Sequence, residues 1–196
     1  WANPRALWTR AVESNPDDAD AWSFYAEALA SDGEPAEALA VTRQGLTHVD
    51  TPRLRLREAI LVMQLGDRAG AIPLFRRAAT GGDPRAMADL ALLEADDPAT
   101  LADALEWARR GALVAVTSAH AHRTHGKLAL ATGNRGEALD AFTRAYALEP
   151  ASLQNRFNLG LVLTQLGRRA EAAPHLQACL GDPALADRAA ELLRGS

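Results

Sequence analysis

Three histidines close together, His120, His122 and His125, are the residues in this 196-residue chain whose type and spacing come nearest to metal chemistry. On a helix, His122 and His125 stand three apart and share a face. His120 lies about 160° round the axis from His122, so one helix cannot aim all three at one ion. No standard zinc spacing is present either, and the histidines are read as packing and surface residues. Cys179 is the only cysteine. It can form no internal disulfide, and no base precedes or follows it closely, so it reads as a small buried residue. The paired carboxylates Asp17-Asp18 and Asp96-Asp97 fall where helices begin or join, a place the backbone dipole favours for negative charge. No phosphate-cradling glycine loop, Gly-x-Ser-x-Gly or His-Glu-x-x-His occurs. The expectation is a non-enzyme with no catalytic residue, no metal and no cofactor.

What those residues sit on is dictated by composition and period. Hydrophobic residues make up 48% of the chain, enough for a packed core, and aromatics only 5%. Alanine and leucine dominate, which favours helix over strand. The formal net charge of −4 argues against nucleic acid as partner. No apolar run reaches membrane-spanning length. A lone cysteine suits the cytoplasm, the expected compartment, and leaves the periplasm open.

A triplet then repeats: Glu37-Ala38-Leu39, Gly70-Ala71-Ile72, Asp103-Ala104-Leu105, Glu137-Ala138-Leu139 and Glu171-Ala172-Ala173, its alanines 33, 33, 34 and 34 residues apart. Seven residues after each alanine comes another small residue: Gly45, Ala78, Gly111, Ala145 or Cys179. Gly33, Gly66, Gly133 and Gly167 precede four of the triplets, where a first helix must stop and the chain reverse. Small residues at helical spacing imply close approach of two helices. Prolines at Asn15-Pro16, Asp83-Pro84, Glu149-Pro150 and Asp182-Pro183 separate one pair of helices from the next.

This pattern resembles the tetratricopeptide repeat. Trp22-x-x-Tyr25-Ala26 leading to Gly33, Leu159-Gly160 leading to Gly167, and Phe75 and Phe142 in the second-helix aromatic slot carry the resemblance over residues 19–183. The third unit departs, lacking the turn glycine and holding one extra residue around Asp96–Thr100. Residues 75–112 also have Sel1-like character. The implied fold is all-α: a right-handed α-solenoid of about five helix-turn-helix units at 19–50, 52–83, 84–115, 119–150 and 153–183. A half repeat at 4–16 precedes them, and 184–194 form a capping helix. The first residue is Trp1, and the half repeat suggests a piece cut from a longer array. Trp22, Trp107, Phe75 and Phe142 are expected in the core, and Trp1 and Trp8 in an exposed apolar patch.

The resemblance also implies a function: a scaffold that holds a protein or peptide in the concave groove lined by first helices. Repeat phase places Arg53, Leu56, Arg57 and Ile60 there from the second unit, Arg85 and Leu92 from the third, His120, Arg123 and Lys127 from the fourth, and Gln154, Phe157 and Asn158 from the fifth. Its arginines and lysine would favour an acidic segment or a C-terminal carboxylate. No three consecutive units supply the lysine and asparagine set with which some relatives clamp a chaperone tail. Two other roles stay open, envelope assembly in the periplasm and self-association through the terminal helices.

Overall fold

The computed structural model describes residues 4–195, and among these it holds twelve helices and no strand. They are α1 (Pro4–Ser14), α2 (Ala19–Ser31), α3 (Pro35–His48), α4 (Pro52–Gln64), α5 (Arg68–Thr80), α6 (Pro84–Glu94), α7 (Leu101–Val114), α8 (Ala119–Ala131), α9 (Arg135–Leu148), α10 (Leu153–Gln165), α11 (Arg169–Gln177) and α12 (Ala186–Arg194). The helices gather into two compact units, Trp1–Leu90 and Ala91–Ser196.

Helix starts are written in capping side chains. Asp18 accepts from the Asp20 and Ala21 amides, Thr51 from Leu54, Ser118 from Ala121 and Ser152 from Asn155. Each satisfies a first-turn N–H that the helix itself leaves unbonded. The stops at Gly33, Gly66, Gly133 and Gly167 hold φ between 76° and 89°, which only glycine adopts without strain. At the third such turn there is no glycine, and side chains do the work. Asp97 Oδ1 accepts from the Ala99 amide at 2.9 Å, and the Thr100 hydroxyl donates to the Glu94 carbonyl at 2.5 Å.

In the first unit, the core gathers Trp22, Leu29, Leu54 and Leu61. Gly45 of α3 lets Trp22 lie against the helix backbone; a Cβ there would stand 2.7 Å from Trp22 Cγ. In the second unit, Phe142, Phe157, Val162 and Leu176 form the centre. Gly126 faces Phe142 and Gly160 faces Leu176 in the same manner. Helix α12 packs on α10 and α11, burying Leu185 and Ala189.

Two expectations change in detail and a third holds. Trp107 is only partly buried, at the core's edge, with the Arg110 guanidinium 4.7 Å from its ring centroid. Trp8 is half-buried, because its ring stacks on Phe24 at 5.0 Å; Trp1 lies outside the described residues. Cys179 is buried as expected, but α11 ends at Gln177 and the chain tightens there, with the Cys179 amide donating to the Leu176 carbonyl. Burial pushes the Cys179 thiol above its ordinary pKa, so it is a poor nucleophile.

Candidate partner-binding faces

In the first unit, α2 and α4 bring together most of the side chains expected on a groove. Arg53, Leu56, Arg57, Ile60 and Arg85 line one cavity of about 450 Å³ with Ser23 and Glu27. The charges are already matched. Arg53 donates to Asp20 at 2.6 Å, with its guanidinium 5.4 Å from the Phe24 ring centroid. Arg57 donates to Glu27 at 2.9 Å, and Arg85 stands 3.8 Å from Asp89 one turn on. Leu56 is buried and Ile60 half-buried. The Ser23 hydroxyl is buried with no hydrogen-bond partner.

The second unit presents a different balance. Arg123 of α8 donates to Asn155 Oδ1 at 3.0 Å and to His120 Nδ1 at 3.2 Å, both neutral acceptors. Lys127 lies one turn further along α8. Burial, and then the like charge of Arg123, holds its ammonium below the ordinary lysine pKa. Among the described residues, no carboxylate pairs with Arg123 or Lys127. On α10, Gln154 donates to Asn158 Oδ1 at 3.0 Å, while the Asn158 Nδ2 is buried without an acceptor. By repeat phase, Lys127 and Asn158 hold the positions that Glu27 and Arg57 hold in the first unit, so a carboxylate is missing where one stands in the earlier pair.

One expected contact residue is placed otherwise. Phe157 is 1% exposed, within the core, and Arg188 of α12 covers its ring at 4.6 Å. The surface at this point is therefore Arg188 and not the phenyl ring. Leu92 of α6 is open to solvent.

Asn155 is a residue that the phase reading passed over. It is fully buried, donates to the Ala145 carbonyl at 3.0 Å and orients Arg123. Its signal was available: the same slot holds Ala21, Leu54, Ala86 and Ala121, so one amide stands in an otherwise apolar position. The histidines divide their work. His122, buried, bonds through Nε2 to the Val116 carbonyl at 3.0 Å; a carbonyl only accepts, so Nε2 carries a proton. His125 contacts Glu137 at 2.6 Å, and Arg109 grips the same carboxylate with two nitrogens at 2.9 and 3.1 Å.

Burial alone would raise the Glu137 pKa, but the hydrogen bonds from His125 and Arg109 hold it below the ordinary carboxyl value. The contribution to stability is therefore complete above the unfolded pKa and is lost as pH falls through the folded one. We expect Glu137→Gln to cost about 1 kcal/mol at neutral pH. The gap from the parent should narrow in urea titrations below about pH 4.5, the ordinary glutamate range. A gap constant with pH would refute the assignment.

The architecture thus defines an all-helical repeat protein. The family model for the tetratricopeptide repeat matches residues 5–47 and 123–192, more than half of the chain, and the chain belongs to that family. No curated protein matches. Among solved structures, YrrB, a tetratricopeptide protein with an unusual peptide-binding site, is similar at TM-score 0.70 and 21% identity, covering 94% of this chain and 97% of that one. MamA from Desulfovibrio magneticus RS-1 is similar at TM-score 0.65 and 18% identity, covering 92% and 97%. Cut9 with Hcn1, of the APC/C hetero-tetramer, is similar at TM-score 0.68 and 18% identity, covering 97% of this chain and 38% of that one. Among the described residues, no helix is long and apolar enough to cross a membrane.

Proposed function

We propose that this chain is a protein-binding scaffold that holds an acidic peptide segment, internal or C-terminal, on its first helices, with the α8–α10 face supplying the anion contacts. The observation that supports this most is the cation pair Arg123 and Lys127, to which no carboxylate is paired among the described residues. Cations that meet only neutral groups leave their charge uncompensated, and a peptide carboxylate supplies the counter-charge. The first-unit face supports the same reading more weakly, because Asp20 and Glu27 already occupy Arg53 and Arg57. A ligand carboxylate has to displace them, whereas at Arg123 it displaces only neutral groups.

A fluorescence-anisotropy screen tests this, with acidic peptides ending in free or amidated C-termini beside charge-swapped basic ones. The acidic set is expected to bind, and Arg123→Glu with Lys127→Glu to weaken it by about two orders of magnitude. Retained affinity in that variant, or a preference for the basic set, would sink the proposal.

A further inference from the structure

Helix α7 ends in Leu113 and Val114, and the turn after it carries Val116. All three lie open to water, 65%, 56% and 62% exposed. The repeat does not ask for them. At the position of Leu113, other repeats of this chain hold Glu13, Thr47, Thr80 or Ala147; at that of Val116 they hold Asp50, Asp83 or Pro150. Those turns form with polar or small residues or proline, so the large aliphatic side chains here serve no need of the fold. A contiguous exposed apolar patch of this kind marks an interaction surface.

Beside the patch is a cavity of about 170 Å³, walled by Ala112, Leu113, His122 and Ala141. Arg144 stands at its rim, and Arg110 projects from α7 one turn before Leu113. Among the described residues neither arginine is paired with a carboxylate; Arg110 only covers the Trp107 ring. Arg109, by contrast, is fully engaged by Glu106 and Glu137. Two carboxylates also line the cavity, Glu137, held by Arg109 and His125, and Asp140, one turn before Arg144, and they confine incoming negative charge to Arg110 and Arg144.

We propose that this corner of the second unit is a second docking surface, separate from the α8–α10 face, and that it takes an acidic amphipathic segment of another protein. One aliphatic side chain enters the cavity, its neighbours cover Leu113, Val114 and Val116, and flanking carboxylates meet Arg110 and Arg144. Charge complementarity selects this occupant: the open cations adjoin the apolar patch, and a concave site for one side chain suits a peptide better than a lipid surface.

The probe is a fluorescein-labelled helical peptide of about 14 residues, with leucines at i, i+3, i+4 and i+7 and glutamates on their flanks. Anisotropy is expected to show binding by the unaltered chain. The double variant L113T/V116D and the single variant R144Q should each weaken it about tenfold. Threonine and aspartate already occupy these positions elsewhere in the chain, so the turn is expected to form; circular dichroism and R144Q guard against a folding artefact. The probe is acidic and also suits the α8–α10 face, so the same comparisons are made in an R123E/K127E background, where the remaining binding should still depend on Leu113, Val116 and Arg144. No binding in the R123E/K127E background overturns the proposal, as does binding there that L113T/V116D and R144Q leave unchanged. Two further results overturn it in favour of another occupant. One is co-sedimentation with phosphatidylglycerol vesicles that L113T/V116D abolishes. The other is a concentration-dependent dimer that the same variant dissolves.

Discussion

Gly126→Ala lowers the melting temperature by about 5 °C, corresponding to about 2 kcal/mol for a chain of this size, while Gly136→Ala raises it slightly. In a helix, alanine is ordinarily better than glycine by about 1 kcal/mol, because glycine has more backbone freedom to lose. At Gly126 that gain is overwhelmed. The new Cβ would lie 2.6 Å from Phe142 Cε1, with Cδ1 and Cζ at 2.7 and 2.9 Å. These are atoms of one flat ring, and Phe142 is 1% exposed, so the ring cannot swing aside into solvent. The axes of α8 and α9 must part, and the contacts around Phe142 loosen with them. Gly136 offers the control. It too is helical, in the first turn of α9, but a Cβ there meets nothing within 4 Å. Alanine then gives only its propensity gain, about 0.5 kcal/mol. Thermal melts of the two variants side by side decide the matter. A stabilised Gly126→Ala would show that the helices do not approach as closely as described.

Asn155→Ala is the second large effect, and it should appear in two assays at once. Stability falls by about 2 kcal/mol, because the Ala145 carbonyl loses a buried donor and the side chain leaves a void. Affinity for an acidic peptide falls as well, although Asn155 is 0% exposed and cannot touch a ligand. The route is Arg123. Its Nη1 donates to Asn155 Oδ1, and without that acceptor the guanidinium samples many rotamers that a ligand must then restrict. Asn155→Asp separates the two roles. It keeps an acceptor for Arg123 but loses the donor to Ala145 and places a carboxylate beside the cation. Peptide binding should then fall further than in Asn155→Ala, through direct competition. If both variants bind as the parent does, Arg123 is not the anion contact.

Much of this fold was legible because the repeat states each requirement several times over. The alanines of the triplet, the four turn glycines and the small residues opposite Trp22, Phe142 and Leu176 answer to sterics, and sterics leave a plain mark on residue size. The turn at Asp97–Thr100 read as an irregularity, since its closure depends on two side-chain hydrogen bonds that no spacing announces. The faces were legible only as positions. Repeat phase put Arg53, Arg57, Arg85, Arg123 and Lys127 in one category, a row of positive charge. Three of the arginines face carboxylates, Asp20, Glu27 and Asp89, and Arg123 and Lys127 do not. Pairing depends on which rotamers meet across two helices, and a one-dimensional count does not reach that. Phe157 shows the same limit: repeat phase put it on the groove, but it is buried in the core and Arg188, thirty-one residues later, closes over it.

Trp22, His122 and Arg156 occupy one slot of the repeat, and each spends a side-chain nitrogen on the backbone carbonyl six residues earlier: Pro16 at 2.7 Å, Val116 at 3.0 Å and Pro150 at 2.9 Å. An indole, an imidazole and a guanidinium share neither shape nor charge. In these three units the position supplies a donor at a given reach, whereas Arg55 in the same slot donates to the Asp50 carboxylate and Met87 has no side-chain donor. Profiles that score residue identity register such a slot as noise, and a designer who fills it by consensus draws a residue at random from a set whose common property is invisible to the alphabet. Scored by reach and by hydrogen-bonding sense, the same column shows what those three units share.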